Sequence, residues 1–222
     1  MKKLLFAAMM MLFATAAYAQ KDVTKFLGIP IDGTKAEMIQ TLKAKGFTSS
    51  DYDREILEGE FNGQTVDIHV VTNNNKVYRI MVADSNTKSE ADIKIRFNNL
   101  CYQFEHNGNY IFFTDDQSIP KDEDISYEMT VKNKRYEAYY YQNPVIDSAA
   151  MANAMLERIS TKYTPEQVAA LTQEERVKIS ADLVYDMISK KSVWFMIREH
   201  YGKYYILMYY DNEYNESNGE DL

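Results

Sequence analysis

At 222 residues, with 33 acidic against 25 basic side chains, the chain carries a formal charge of −8, which makes nucleic acid and anionic lipid poor partners. Its content of 45% hydrophobic and 13% aromatic residues is that of an ordered globule and excludes a disordered polar chain. A single cysteine, Cys101, excludes an intramolecular disulfide, so stability must come from packing.

The chain opens Met1-Lys2-Lys3, continues as an apolar run from Leu4 to Thr15, and reaches Ala16-Ala17-Tyr18-Ala19 before Gln20. A basic start, a short apolar stretch and an A-x-A site together read as a secretory signal peptide over 1–19. The run is about 12 residues, against the roughly 20 that a bilayer-spanning helix needs. Cleavage is therefore expected after Ala19, giving a periplasmic or secreted product with no membrane insertion. Losing Lys2 and Lys3 with the leader takes the charge from −8 to −10.

The first helix is expected from Thr34 to Lys45. Thr34 and Glu37 form a T-x-x-E capping box, Met38, Ile39 and Leu42 make an apolar stripe, and Gly46 sits where a left-handed terminator is wanted. A meander follows. Glu55 to Phe61 turns through Asn62-Gly63 into Thr65 to Val71, with Val66, Ile68 and Val70 inward; Asn73-Asn74-Asn75 leads to Lys76 to Ala83, with Tyr78, Ile80 and Val82 inward. Ser89 to His106 reads as a second helix through Ile93, Phe97, Leu100 and Phe104.

Thr114 to Asp124 holds five acidic residues and a proline and reads as a loop. Two strands, Ile125 to Val131 and Arg135 to Tyr141, are expected about Lys132-Asn133-Lys134. A helix then runs from Asp147 to Ser160. Further starts lie at Thr164-Pro165-Glu166-Gln167 and Thr172-Gln173-Glu174-Glu175, and the last helix ends at Ser189. A closing hairpin pairs Val193 to Glu199 with Lys203 to Tyr210, and 211–222 reads as an acidic mobile tail. The whole is α+β: an antiparallel sheet of about seven strands with helices on one face. It reads as a single domain over 20–210, with 26–113 and 125–210 as candidate halves that share no residue-level match.

The phrase Phe26-Leu27-Gly28-Ile29-Pro30-Ile31-Asp32-Gly33-Thr34, continuing to Lys45-Gly46-Phe47 and Glu58-Gly59-Glu60-Phe61-Asn62-Gly63, resembles the opening of a group of small secreted proteins of unknown function from Bacteroides and relatives. Its helix-then-sheet unit is similar to the β-lactamase-inhibitor-protein type. The resemblance covers about 26–84, with a looser match at Lys203 to Asp211. It implies a fold and no catalytic residue.

Motifs for chemistry are missing. His69, His106 and His200 show no metal-ligand spacing, and Cys101 lies beside an apolar stripe with no base near it in sequence. There is no G-x-S-x-G, P-loop or dinucleotide fingerprint, so no catalytic residue, metal or cofactor is assigned. The acidic runs Asp115-Asp116, Asp122-Glu123-Asp124 and Asp211 to Asp221 read as solvated charge, since no EF-hand glycine or flanking helix accompanies them. What remains is tyrosine. Tyr139 and Tyr141 share one face of their strand and Tyr205 and Tyr209 one face of theirs, while Tyr204, Ile206, Met208 and Tyr210 form the core side. The expected function is a non-catalytic binding or inhibitor-like module using Tyr139, Tyr141, Tyr205 and Tyr209 against a protein or glycan of the cell envelope; the alternative is an envelope-polymer hydrolase acting through carboxylates.

Overall fold

The computed structural model describes residues 22–145 and 148–217. The leader read over 1–19, Asp147 at the expected start of the third helix, and 218–222 of the tail lie outside the described residues.

The chain enters through a two-stranded ribbon, β1 (Lys25–Phe26) and β2 (Ile29–Pro30), and then forms α1 (Lys35–Ala44). The capping box is present: the Glu37 amide donates to the Thr34 hydroxyl, and the Thr34 amide donates to the Glu37 carboxylate at 3.0 Å. The meander follows as β3 (Thr48–Ser49), β4 (Ile56–Phe61), β5 (Gln64–Asn73) and β6 (Lys76–Asp84). Gly59 in β4 is a packing requirement, because a Cβ there would lie 2.4 Å from the Phe47 ring. Next come α2 (Glu90–Glu105), β7 (Tyr110–Ile111), α3 (Ile125–Lys132), β8 (Glu137–Gln142), α4 (Ser148–Lys162), α5 (Pro165–Ala170) and α6 (Gln173–Ser189). The hairpin β9 (Ser192–His200) and β10 (Lys203–Asp211) closes the fold.

Eight strands join one antiparallel sheet in the order β3-β4-β5-β6-β10-β9-β8-β7. The α+β class and helix-on-antiparallel-sheet architecture are as the sequence implied. The β6–β10 seam pairs Ile80 with Tyr210 and Val82 with Met208, so the sheet runs unbroken from the early meander to the late hairpin. On the covered face α1 packs against β5 and β6, and α2 against β7, β9 and β10. Between them lie Leu42, Leu57, Ile68, Ile80, Ile93, Phe97, Leu100, Tyr140, Phe195 and Ile206, all fully or almost fully buried.

Two expectations are corrected. Ile125 to Val131 is helix α3, not a strand. Its apolar residues alternate as a strand's would, but Asp124 caps the helix by accepting from the Tyr127 amide, and Asn133 ends it in a left-handed conformation at φ 53°. On the side of β8 away from β9, β7 pairs only with Tyr141 and Gln142, and at Tyr139 the Gln117 side chain takes the backbone groups that such a strand would use. Second, Tyr78 does not point into the core. A register shift beside Val71 and Thr72 makes it the extra residue of a bulge, and Val77 is buried in its place. Among the helices after residue 146, α4 and α6 pack on each other, and the main contact of α6 with the sheet is at β8.

The first residues of the segment read as a tail are tied to the body. Asn212 is fully buried and donates to Ile31 O, and Asn215 donates to Asp32 and to Val77 O. Among the described residues no helix is long and apolar enough to cross a membrane.

Candidate binding surface

Strand alternation divides the aromatic residues of the last three long strands between two faces. Tyr140, Phe195, Tyr204 and Tyr210 go under α2 and are buried, whereas Tyr139, Trp194, Tyr205 and Tyr209 point the other way. No helix of the described chain lies across that second face. Register sets the rings in a line: Tyr139 is opposite Trp194, Trp194 opposite Tyr209, Tyr209 opposite Met81, and Met81 opposite His69. Leu207, with Met196 on one side and Ala83 on the other, forms the neighbouring row.

The three rings stack. Tyr139 and Trp194 have centroids 5.4 Å apart and planes at 12°, and Trp194 and Tyr209 are 4.1 Å apart at 18°. These spacings bracket the strand separation of about 4.8 Å, so the rings stand upright on the sheet with their faces on one another and their edges outward. Tyr141 lies one step away on the same face and leans on Phe113, which also meets Tyr185 of α6. Tyr205 pairs with Arg198 farther along the hairpin and stays outside the stack. The structure thus places all four sequence-derived tyrosines on one face and brings Tyr139 and Tyr209 together through Trp194.

A buried ion pair fixes this row. Arg79 donates to both oxygens of Asp211 at 2.6 and 2.8 Å, and Trp194 Nε1 donates to the same carboxylate at 2.9 Å. The Arg79 guanidinium also lies 4.9 Å from the Tyr209 ring centroid. Its pKa is raised, chiefly by the hydrogen bonds to Asp211, against the opposing effect of burial. Arg79 and Asp211 lie opposite each other across the β6–β10 seam, far apart in sequence, and no local signal joined them. Trp194 was more accessible to reasoning, since it alternates with the buried Val193 and Phe195.

Beside the ion pair is a depression of about 370 Å³ walled by Tyr139, Tyr141, Ser192, Glu213 and Glu216. Glu213 has its carboxyl pushed up, first by burial and then by Glu216, while Lys190 opposes the shift. Tyr139 donates to Glu137 at 2.6 Å, and burial together with that carboxylate pushes its hydroxyl up to about 12. At its open edge β8 is sealed by Gln117, which accepts from the Tyr139 amide and donates to the Tyr139 carbonyl.

The other candidates are elsewhere. His106 stacks on Tyr102, His200 sits edge-on to Tyr201, and Cys101 is buried with its thiol pushed up to about 11 by desolvation. Among the described residues no group of three or more His, Cys, Asp or Glu is placed to hold a metal ion. No protein-family model, curated protein or solved structure matches the chain.

Proposed function

We propose that this chain is an exported, non-catalytic binding module whose open sheet face docks on a protein of the cell envelope, in the manner of an inhibitor. The observation that carries the reading is the upright Tyr139–Trp194–Tyr209 stack, held from one side by Arg79 and Asp211 in the next row of the same face. A sugar ring is recognised by lying flat on an aromatic face, and these faces are occupied by one another. What the row offers is edges and hydroxyl tips, bordered by the half-buried Met81 and Leu207, which suits a protein surface. From His69 on β5 to Tyr139 on β8 the row crosses five strands, a span of roughly 19 Å at about 4.8 Å per strand. The kinship of residues 26–84 with small secreted proteins of unknown function, through a helix-then-sheet unit of the β-lactamase-inhibitor-protein type, and the cleavage after Ala19 belong to the same proposal.

Carboxylate hydrolysis has less support. It needs a raised acid beside a free carboxylate: Asp211 has its oxygens engaged by Arg79 and Trp194, which leaves Glu213 with Glu216 as the pair this alternative would use.

The test is a variant with Tyr139, Tyr141, Tyr205 and Tyr209 all changed to Ser, together with a photo-crosslinking residue placed at Tyr205 or at Ile95. Ile95 is exposed on α2, which packs on the opposite side of the sheet. The reading expects an envelope-protein adduct from position 205 and none from 95, and loss of capture by a quadruple variant that still unfolds cooperatively. Equal adducts from both positions, or undiminished capture by the variant, would overturn it.

A further inference from the structure

A second concave site lies away from the aromatic row. The β1–β2 ribbon, the last turn of α2, the start of β7 and the end of β8 enclose a cleft of about 800 Å³, within the size range of small-ligand sites. Among the described residues, no Asp or Glu lines it, in a chain that has 33 acidic residues in all. Six amides do: Asn62, Gln103, Asn107, Asn109, Gln142 and Asn143.

Half of these amides form a fixed frame. Gln142 accepts from the Lys25 amide at 2.8 Å and donates to the Lys25 carbonyl at 2.7 Å, closing the ribbon onto β8. Asn143 donates to Gly108 O at 2.6 Å, and Asn62 donates to Gln103 Oε1 while accepting from Arg96. The remainder keep capacity for a ligand: Asn107 Oδ1 accepts from the Asn109 amide at 3.1 Å, while among the described residues the Asn109 side chain and Gln103 Nε2 make no hydrogen bond. Lys191, also in the lining, is spoken for, since its ammonium donates to Asp22 at 2.8 Å and to Asn143 O at 3.0 Å.

Two further features face the cleft. Tyr102 stacks on His106 at 3.9 Å, and that imidazole is held by its Nδ1 contact with Tyr102 O at 2.8 Å, so the Tyr102 ring is braced on one side while 63% exposed overall. At the rim Leu27 has φ 50°, a left-handed conformation that a leucine rarely adopts, and its side chain is exposed.

We infer that this cleft binds a saccharide, with Gln103, Asn107 and Asn109 meeting sugar hydroxyls and the outer face of Tyr102 stacking on a pyranose ring. Amides match hydroxyls because each supplies both a donor and an acceptor, and sugar C–H faces settle on an aromatic plane. A charged small ligand would call for an opposing charge, and only Lys25 at the rim is uncommitted. A peptide would take backbone hydrogen bonds from a sheet edge, and the edge strand here, β7, is two residues long.

The experiment is calorimetric titration of the mature chain with cellohexaose, mannohexaose, maltohexaose, chitohexaose and hexagalacturonate, with a neutral decapeptide as competitor. Binding of at least one hexasaccharide is expected, weakened roughly tenfold or more by the double change Gln103→Ala and Asn109→Ala and by Tyr102→Ala, as loss of one or two hydrogen bonds or a stacked ring implies. The quadruple tyrosine variant of the sheet face should bind the same sugar unchanged, which separates this site from the protein-docking face. A preference for hexagalacturonate abolished by Lys25→Ala would support the site and assign its charge selectivity. No binding of any of the five at about 10 mM, binding indifferent to the Gln103 and Asn109 changes, or displacement by the decapeptide would overturn it.

Discussion

Tyr139 and Tyr140 are neighbours in sequence with opposite fates. Tyr140 is wholly buried under α2, stacked on Phe104 at 4.6 Å, whereas Tyr139 is 41% exposed on the bare face, stacked on Trp194 at 5.4 Å. Both faces of the sheet are aromatic, and both stack their rings across strands. The difference lies in what covers them: α1 and α2 seal one face, and the helices after residue 146, which could have sealed the other, gather at the end of β8. Aromatic content therefore does not distinguish a core from a binding surface. The placement of helices does.

The sharpest way to break this comparison is to remove one ring from each face. Tyr140→Ala should cost about 3–5 kcal/mol, the range for emptying a large aromatic site, while Tyr139→Ala should cost under about 1 kcal/mol, both read from urea unfolding midpoints at constant m-value. Equal costs would mean that the open face is covered in solution.

Arg79→Ala comes next, because it strands a buried carboxylate beside the aromatic row. With the Asp211 side chain 5% exposed and that of Arg79 23%, a loss of about 2–4 kcal/mol is expected, below the full value for a sealed pair. The double change Arg79→Ala with Asp211→Asn should recover much of it. If Arg79→Ala were silent, the pair would be ordinary surface charge and the stack would stand without it.

Cys101 reports on the covered face without a mutation. Its thiol, pushed up to about 11 by burial, should stay unreacted with a thiol reagent at pH 8 and be modified only at the rate of unfolding. Fast labelling of native protein would show that α2 lifts readily from the sheet.

The smallest effect concerns Tyr139. Its hydroxyl ionises at about 12 in the fold against 10.0 ordinarily, so its contribution favours the folded state fully below pH 10 and is lost as pH rises towards 12. Tyrosinate absorbance should therefore show a step near pH 12 that disappears in Tyr139→Phe and moves down in Glu137→Gln.

Elements governed by local chemistry were legible in the sequence. The capping boxes at Thr34, Thr164 and Thr172 all form, and the alternation of β10 puts Tyr204, Ile206, Met208 and Tyr210 inward as read. The candidate site was legible as a set of tyrosines sharing a face, but not as a constellation. Its centre, Trp194, and its support, Arg79 with Asp211, depend on which strands become neighbours. The α3 segment was misread because Ile125, Tyr127, Met129 and Val131 alternate like a strand, whereas the Asp124 cap, the left-handed Asn133 and the closure of the β8 edge by Gln117 favour a helix.

By itself, then, the sequence determined periodicities, caps and turns, because these involve residues within a few positions of one another. Tertiary structure decided the strand order, the bulge at Tyr78, the Arg79–Asp211 pair and which face stayed bare. Each of these joins groups far apart in the chain whose energies appear only when the sheet is assembled.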